Sequence, residues 1–198
     1  MQIYLLRHGH SLANAMNLVC GSMDFELSDL GRVEAEIVSN KLSQVKFTKI
    51  YSSPLARAVA TIRTLKSEVS ATLCPELQEC DNGHVSLLTL SDLWDREPRF
   101  KKPWLSPSLR YPGGECFSEM VDRITGWFMV ASKNWSDEDI ILIVGHHGTV
   151  KSIFMHLSHL TLADYPDFPL GNCDYIEFNL NQGVVVEKKH FIFKGFSE

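Results

Sequence analysis

Three short segments of the chain concentrate side chains suited to handling a phosphoryl group. They read Arg7-His8-Gly9-His10-Ser11, Ser52-Ser53-Pro54-Leu55-Ala56-Arg57 and Gly145-His146-His147-Gly148. Guanidinium forks match phosphate oxygens, and the free N–H groups at a helix start add partial positive charge. A neutral imidazole beside such a phosphate can attack it, because cationic neighbours disfavour the imidazolium form. A second histidine can donate a hydrogen bond to the charge that builds on the transferring group. The departing oxygen then needs a proton, for which a carboxylic acid is the natural donor.

Each of these segments follows a short apolar run. Residues 2–6, 49–52 and 140–144 are compact and bounded by polar or turn residues, as buried strands are. Between them the apolar spacing is helical. The first helix is expected to start at Ser28 as N-cap, with Leu30, Val33, Ile37, Val38, Leu42 and Val45 on one side. The second opens with Ser53-Pro54, a cap followed by proline at the first helical position, and carries Leu55, Val59, Ile62, Leu65 and Val69. The third follows Gly113-Gly114-Glu115 and places Phe117, Met120, Val121, Ile124 and Phe128 on a stripe, and a fourth covers residues 147–157. Residues 173–180 and 184–190 read as closing strands around the turn Asn181-Gln182-Gly183.

Strands alternating with helices imply an α/β fold with a mainly parallel sheet. Ligands of such sheets bind outside the carboxyl ends of the strands. The three segments should therefore converge on one site that holds two arginines and up to four histidines. Residues 82–114 fit neither period; with Pro98, Pro103, Pro107, Pro112, Trp94 and Trp104 they read as a lid-like excursion over the sheet. Its Arg96, Arg99, Lys101, Lys102 and Arg110 form either a basic rim that attracts an anionic ester or a solvated loop offset by Asp92, Asp95 and Glu97. The two tryptophans read as anchors of this lid.

The composition sets the frame. A chain of 198 residues with 44% hydrophobic residues and a charge of −5 suits one domain over 1–198 and excludes disorder. A net negative charge also argues against a nucleic-acid partner bound through general attraction to phosphate. The five cysteines, Cys20, Cys74, Cys80, Cys116 and Cys173, form no C-x-x-C pair and read as reduced thiols. Residues 1–7 do not have the layout of a signal peptide, and the longest apolar run is far below the ~20 residues that span a bilayer. The expected setting is cytoplasmic, with no membrane partner.

Taken in order, Arg7-His8-Gly9, Ser52-Ser53-Pro54-Leu55-x-Arg57, Pro112-Gly113-Gly114-Glu115 and Val144-Gly145-His146-x-Gly148 resemble the histidine phosphatase superfamily in its phosphoglycerate-mutase-like branch. Leu27-Ser28-Asp29-Leu30-Gly31-Arg32 is similar to the family segment that opens the first helix, and Leu77-Gln78-Glu79-Cys80-Asp81-x-Gly83 to its acid-bearing stretch. The resemblance implies a three-layer sandwich with a mixed, mostly parallel sheet flanked by helices. It makes His8 the nucleophile, Arg7 and Arg57 the phosphate clamp, His146 a further member of the pocket, and Glu79 the general acid and later base. Asp81 is an alternative acid, two residues away. Asn14, His10 and His147 join the substrate-binding set, and neither metal nor cofactor is implied.

Three departures from the family pattern stand out. His10 replaces the usual Glu or Gln, His147 replaces a glycine, and His84-Val85-Ser86-Leu87 replaces a tryptophan–glutamate–glycine stretch. The expected activity is a metal-independent phosphomonoesterase that hydrolyses a small phosphorylated metabolite through phosphohistidine. Sugar phosphates, nucleoside phosphates and α-ribazole phosphate all suit such a pocket. Alternatives are phosphoglycerate mutase-type transfer, for which the chain is short, a metallohydrolase using His8-x-His10 and His146-His147, and a catalytically silent phosphate-binding module. A homodimer is compatible with the sequence.

Overall fold

The computed structural model describes residues 1–166 and 168–193. Residue 167 and the last five positions of the expected 1–198 domain lie outside the described residues. Six strands form one mixed sheet in the order β3-β2-β4-β1-β5-β6. They are β1 (Gln2–Arg7), β2 (Lys49–Ser52), β3 (Ala71–Leu73), β4 (Ile140–Gly145), β5 (Tyr175–Asn181) and β6 (Val184–Phe191). The pairs β1–β4, β4–β2 and β2–β3 are parallel, whereas β5 runs antiparallel to β1 and to β6. The helices are α1 (Leu12–Ala15), α2 (Asp29–Leu42), α3 (Ala56–Arg63), α4 (Leu90–Arg96), α5 (Phe117–Ala131) and α6 (His147–Leu157).

Strand alternation divides the core into two layers. On one face, Ile3, Leu5, Ile141, Ile143 and Phe178 pack with Met120, Ile124 and Phe128 of α5 and Val150 and Ile153 of α6. On the other, Tyr4, Leu6, Leu142 and Val144 pack with Val38 and Leu42 of α2 and Ala58 of α3. This is the expected three-layer arrangement. Register then aligns the chemistry: Arg7 lies beside Gly145, and Ser52 beside Val144. The segments leaving β1, β2 and β4 therefore emerge at one level of the sheet, on its carboxyl edge.

Two helices differ from expectation. Ser28 does cap α2, accepting from the Gly31 amide at 3.2 Å. Yet Leu30 and Val33 are 44% and 41% exposed, and the inward face is Gly31, Glu34, Ala35, Val38, Ser39 and Leu42. The first turns of α2 rest against the backbone of Gly9 and His10 rather than on a greasy surface. A Cβ at Gly31 would collide with the His10 carbonyl oxygen, so only glycine permits that approach. Helix α3 starts at Ala56 with Leu55 at its cap, not at Ser53-Pro54; the Ser53 hydroxyl accepts from the Leu55 amide at 3.3 Å, within the turn that precedes the helix.

The 82–114 excursion holds α4 and 3₁₀ turns at Gly83–Val85, Pro98–Lys101 and Pro103–Leu105. It is tied to the body by Leu93, Phe100 and Tyr111, all buried in the core, and by backbone bonds between Val19 and residues 87 and 88. All five cysteines are free. Among the described residues no helix is long and apolar enough to cross a membrane.

Candidate active site

A cavity of about 310 Å³ opens at the carboxyl edge of the sheet, and Arg7, His8, Asn14, Arg57, Glu79 and His147 all line it. His8 follows β1 and is buried, 5% exposed. Its Nδ1 lies 2.7 Å from the Gly9 carbonyl oxygen. A carbonyl can only accept, so Nδ1 carries the proton and Nε2 keeps a free lone pair. Burial, reinforced by Arg57 and then Arg7, holds this imidazole well below its ordinary histidine value. The His8 imidazole is thus held neutral, with Nε2 unprotonated, in a cavity that Arg7 and Arg57 also line.

Arg57 projects from the first turn of α3 and is 1% exposed. Its Nη1 and Nη2 donate to the carbonyls of Met23 and Gly21 at 2.8 and 2.7 Å, and its Nε donates to His146 Nδ1 at 3.3 Å. That last bond settles the second histidine. With Nδ1 accepting, His146 carries its proton on Nε2 and donates it to Ser53 Oγ at 2.8 Å. Burial, then Arg57 and His8, keep His146 well below its ordinary value too. The two imidazoles stand 5.1 Å apart, centre to centre. Ser53, read from sequence as a helix cap, instead orients His146.

Arg7 donates through Nη1 to the Leu170 carbonyl at 2.5 Å, while its buried Nε has no partner among the described residues. A buried donor left unpaired costs about 1–3 kcal/mol, a deficit that an incoming anion relieves. Asn14 uses Oδ1 to accept from the Ser11 amide and hydroxyl, closing the cap of α1, and leaves its amide N–H₂ group for the cavity. His147, at the first position of α6, is pushed down to about 3 by burial, with Lys151 and Arg7 adding to the effect.

Glu79 lines the same cavity. Its Oε2 accepts from the Gly148 amide at 3.1 Å and its Oε1 from the Cys80 amide at 3.0 Å. The open N-terminus of α6 therefore holds this carboxylate. Glu79 also borders a second hollow, lined by Glu76, Asp81, Glu115 and Arg123. Asp81 belongs only to that hollow, with Oδ1 accepting from the Gly83 amide, so of the two acids Glu79 reaches His8's cavity.

His10 does not line the cavity, contrary to expectation. Its amide donates to Glu34 Oε2 at 2.7 Å and its ring Nδ1 meets Ser28 Oγ at 2.8 Å, which turns it towards α2. The rings of the His8-x-His10 pair have different partners, the Gly9 carbonyl for His8 and the Ser28 hydroxyl for His10. Sequence reasoning also missed the loop at residues 170–174. Asn172 Nδ2 donates to the His8 carbonyl at 3.0 Å, and buried Asp174 accepts from the Gly171 amide at 2.5 Å. No motif marks this loop, but β5 pairs with β1 through Leu6 and Tyr175, which places it beside Arg7 and His8. Thr61 was missed as well; its Oγ1 accepts from the Gly9 amide at 3.0 Å.

Comparison with known proteins gives a consistent picture. The family model described as "Histidine phosphatase superfamily (branch 1)" matches residues 3–191. Phosphoserine phosphatase 1 of Hydrogenobacter thermophilus is 22% identical over 92% of this chain and 88% of the relative. The 2,3-bisphosphoglycerate-dependent phosphoglycerate mutase of Bacteroides fragilis is 25% identical over 96% of this chain and 91% of its own. Among solved structures, the alpha-ribazole phosphatase from Shigella flexneri superposes with a TM-score of 0.81 at 24% identity, covering 93% of both chains.

Proposed function

The chain belongs to the histidine phosphatase superfamily, branch 1, and from that premise we propose that it is a metal-independent phosphomonoesterase that hydrolyses a small phosphorylated metabolite through a phosphohistidine on His8. The observation that carries this reading is the state of His8. Its Nδ1 proton is fixed on the Gly9 carbonyl, its ring is held neutral, and two guanidinium groups line the same cavity.

In the first step the Nε2 lone pair of His8 forms a bond to phosphorus as the ester P–O bond breaks. Arg7 and Arg57 take the charge on the equatorial oxygens, and the unpaired Arg7 Nε–H gains an acceptor. Asn14 adds a donor at the mouth, and His147 offers a neutral ring there. Glu79 gives its proton to the leaving alkoxide. In the second step Glu79 takes a proton from water, the hydroxide attacks phosphorus, the N–P bond breaks, and phosphate departs with His8 neutral again. His146 acts from below by holding Arg57 Nε through its Nδ1.

An acid lining the same cavity as His8 is what separates this arrangement from a passive phosphate binder. Phosphate release from a panel of monoesters tests the reading. His8→Ala should abolish release, and Glu79→Gln should slow esters of poor leaving groups most. Unchanged release by His8→Ala would overturn the nucleophile, and interconversion of 3- and 2-phosphoglycerate with little phosphate freed would replace hydrolysis by transfer.

A further inference from the structure

We infer that the substrate is the phosphate monoester of an apolar, ring-bearing alcohol with no second anionic group, an inference that rests on the phosphomonoesterase reading above. The cavity has two chemically distinct ends. Among the described residues that line it, Arg7 and Arg57 are the cations, Glu79 is the anion, and His8 and His147 are neutral. Both guanidinium groups belong to the phosphoryl end. The rest of the lining is mostly apolar, with Leu18, Leu90, Trp104, Tyr111, Phe117 and Tyr165 among its larger side chains, and Asn82 adds one amide.

That wall is ordered by its own ring contacts. Trp104 stacks on Tyr165 with centroids 4.8 Å apart, and Phe117 meets Tyr165 edge-on at 5.1 Å. Tyr111 stacks on Phe100 at 4.0 Å. Rings fixed in advance bind a flat apolar group with little loss of side-chain freedom. A carboxylate or second phosphate placed against them would lose its hydration without gaining a counter-ion, and it would also face Glu79.

The basic residues of the excursion do not correct this deficit. Arg99 is paired with Glu97 at 2.8 Å, and Arg110 with Glu119. Lys101 lies over the Trp94 ring, 5.3 Å from its centre. Arg96 and Arg110 line a separate hollow together with Glu97. None of these side chains lines the cavity that holds His8.

The test compares kcat/KM for benzyl phosphate, glycerol 3-phosphate and 3-phosphoglycerate. All three release alkyl alcohols, so the preference reports on binding of the side group rather than on leaving-group acidity. Benzyl phosphate should lead glycerol 3-phosphate by about ten-fold, and 3-phosphoglycerate by about 10²-fold. Trp104→Ala should shrink the benzyl-over-glycerol ratio by about ten-fold, the loss of one apolar contact surface. Leu90→Lys, which adds a cation to the wall, should raise turnover of 3-phosphoglycerate relative to benzyl phosphate. Equal or faster hydrolysis of 3-phosphoglycerate by the unmodified protein overturns the substrate class and leaves the phosphatase reading standing. Hydrolysis of none of the three, nor of a wider ester panel, overturns the phosphatase reading itself and the class with it.

Discussion

At the scale of single residues, the site works by fixing protons and donors in advance. The His8 Nδ1 proton is committed to Gly9, the His146 proton to Ser53, and three of the five Arg57 donors to named acceptors. These bonds hold Arg57 in place where it lines the cavity. Arg57→Ala should lower kcat/KM by roughly 10²–10³, the order seen when one transition-state donor is lost; near-normal steady-state kinetics would remove Arg57 from the clamp. The depressed proton affinity of His8 makes a second prediction. A lowered value favours the free base, so the nucleophile stays competent as pH falls through the ordinary histidine value of about 6.5. A kcat/KM profile corrected for the substrate's own ionisation near ~6 should therefore show no acid limb at the ordinary histidine value. A limb near 6.5 that persists after that correction would contradict the buried neutral state of His8.

At the scale of elements, two glycines let helices approach where side chains would block them. Gly31 brings α2 onto the His10 backbone, and Gly148 brings the N-terminus of α6 onto Glu79. A Cβ at Gly148 would meet Glu79 Oε1 and Met120 Sδ, both side-chain atoms, so the helix can tolerate alanine by displacing the carboxylate. Gly148→Ala should lower kcat by about ten-fold or more while circular dichroism stays unchanged, in line with the cost of a misplaced catalytic group. Full activity would mean that Glu79 does not work from its present position. The element scale also shows what the sequence could and could not disclose. Strands β1, β2 and β4 and helices α5 and α6 were legible because apolar period and flanking polar residues agreed. The inward face of α2 was not, because it packs on backbone and is made of small and polar residues, leaving Leu30 and Val33 exposed. Strand β3 has three residues and only one neighbour, β2, too little for any periodicity. The place of His10 was not legible either, because a family position does not say that the ring turns back to Ser28 and away from the cavity lining.

At the scale of the whole molecule, a net charge of −5 coexists with a buried cationic pocket, and the fold carries the cost of that arrangement. His8, His146 and His147 bind protons more weakly folded than unfolded. The unfolded chain takes up protons as pH drops below about 6.5 and the folded chain does not, so stability rises with pH through this range and is lost as pH falls. Each such group contributes up to about 1.4 kcal/mol per pH unit. Melting temperature should fall between pH 7 and 5.5, and less steeply in His147→Asn, which lacks one of the three groups; a melting temperature that does not change with pH would contradict the buried neutral state.

The central claim is that phosphate passes through His8. Rapid quenching during turnover of a labelled ester, followed by peptide mapping, tests it most directly. The bound phosphoryl group should be labile in acid, stable in alkali and confined to the peptide containing His8, and absent in His8→Ala. Label on another residue, or phosphate release at full rate with no labelled protein at any time, would contradict it.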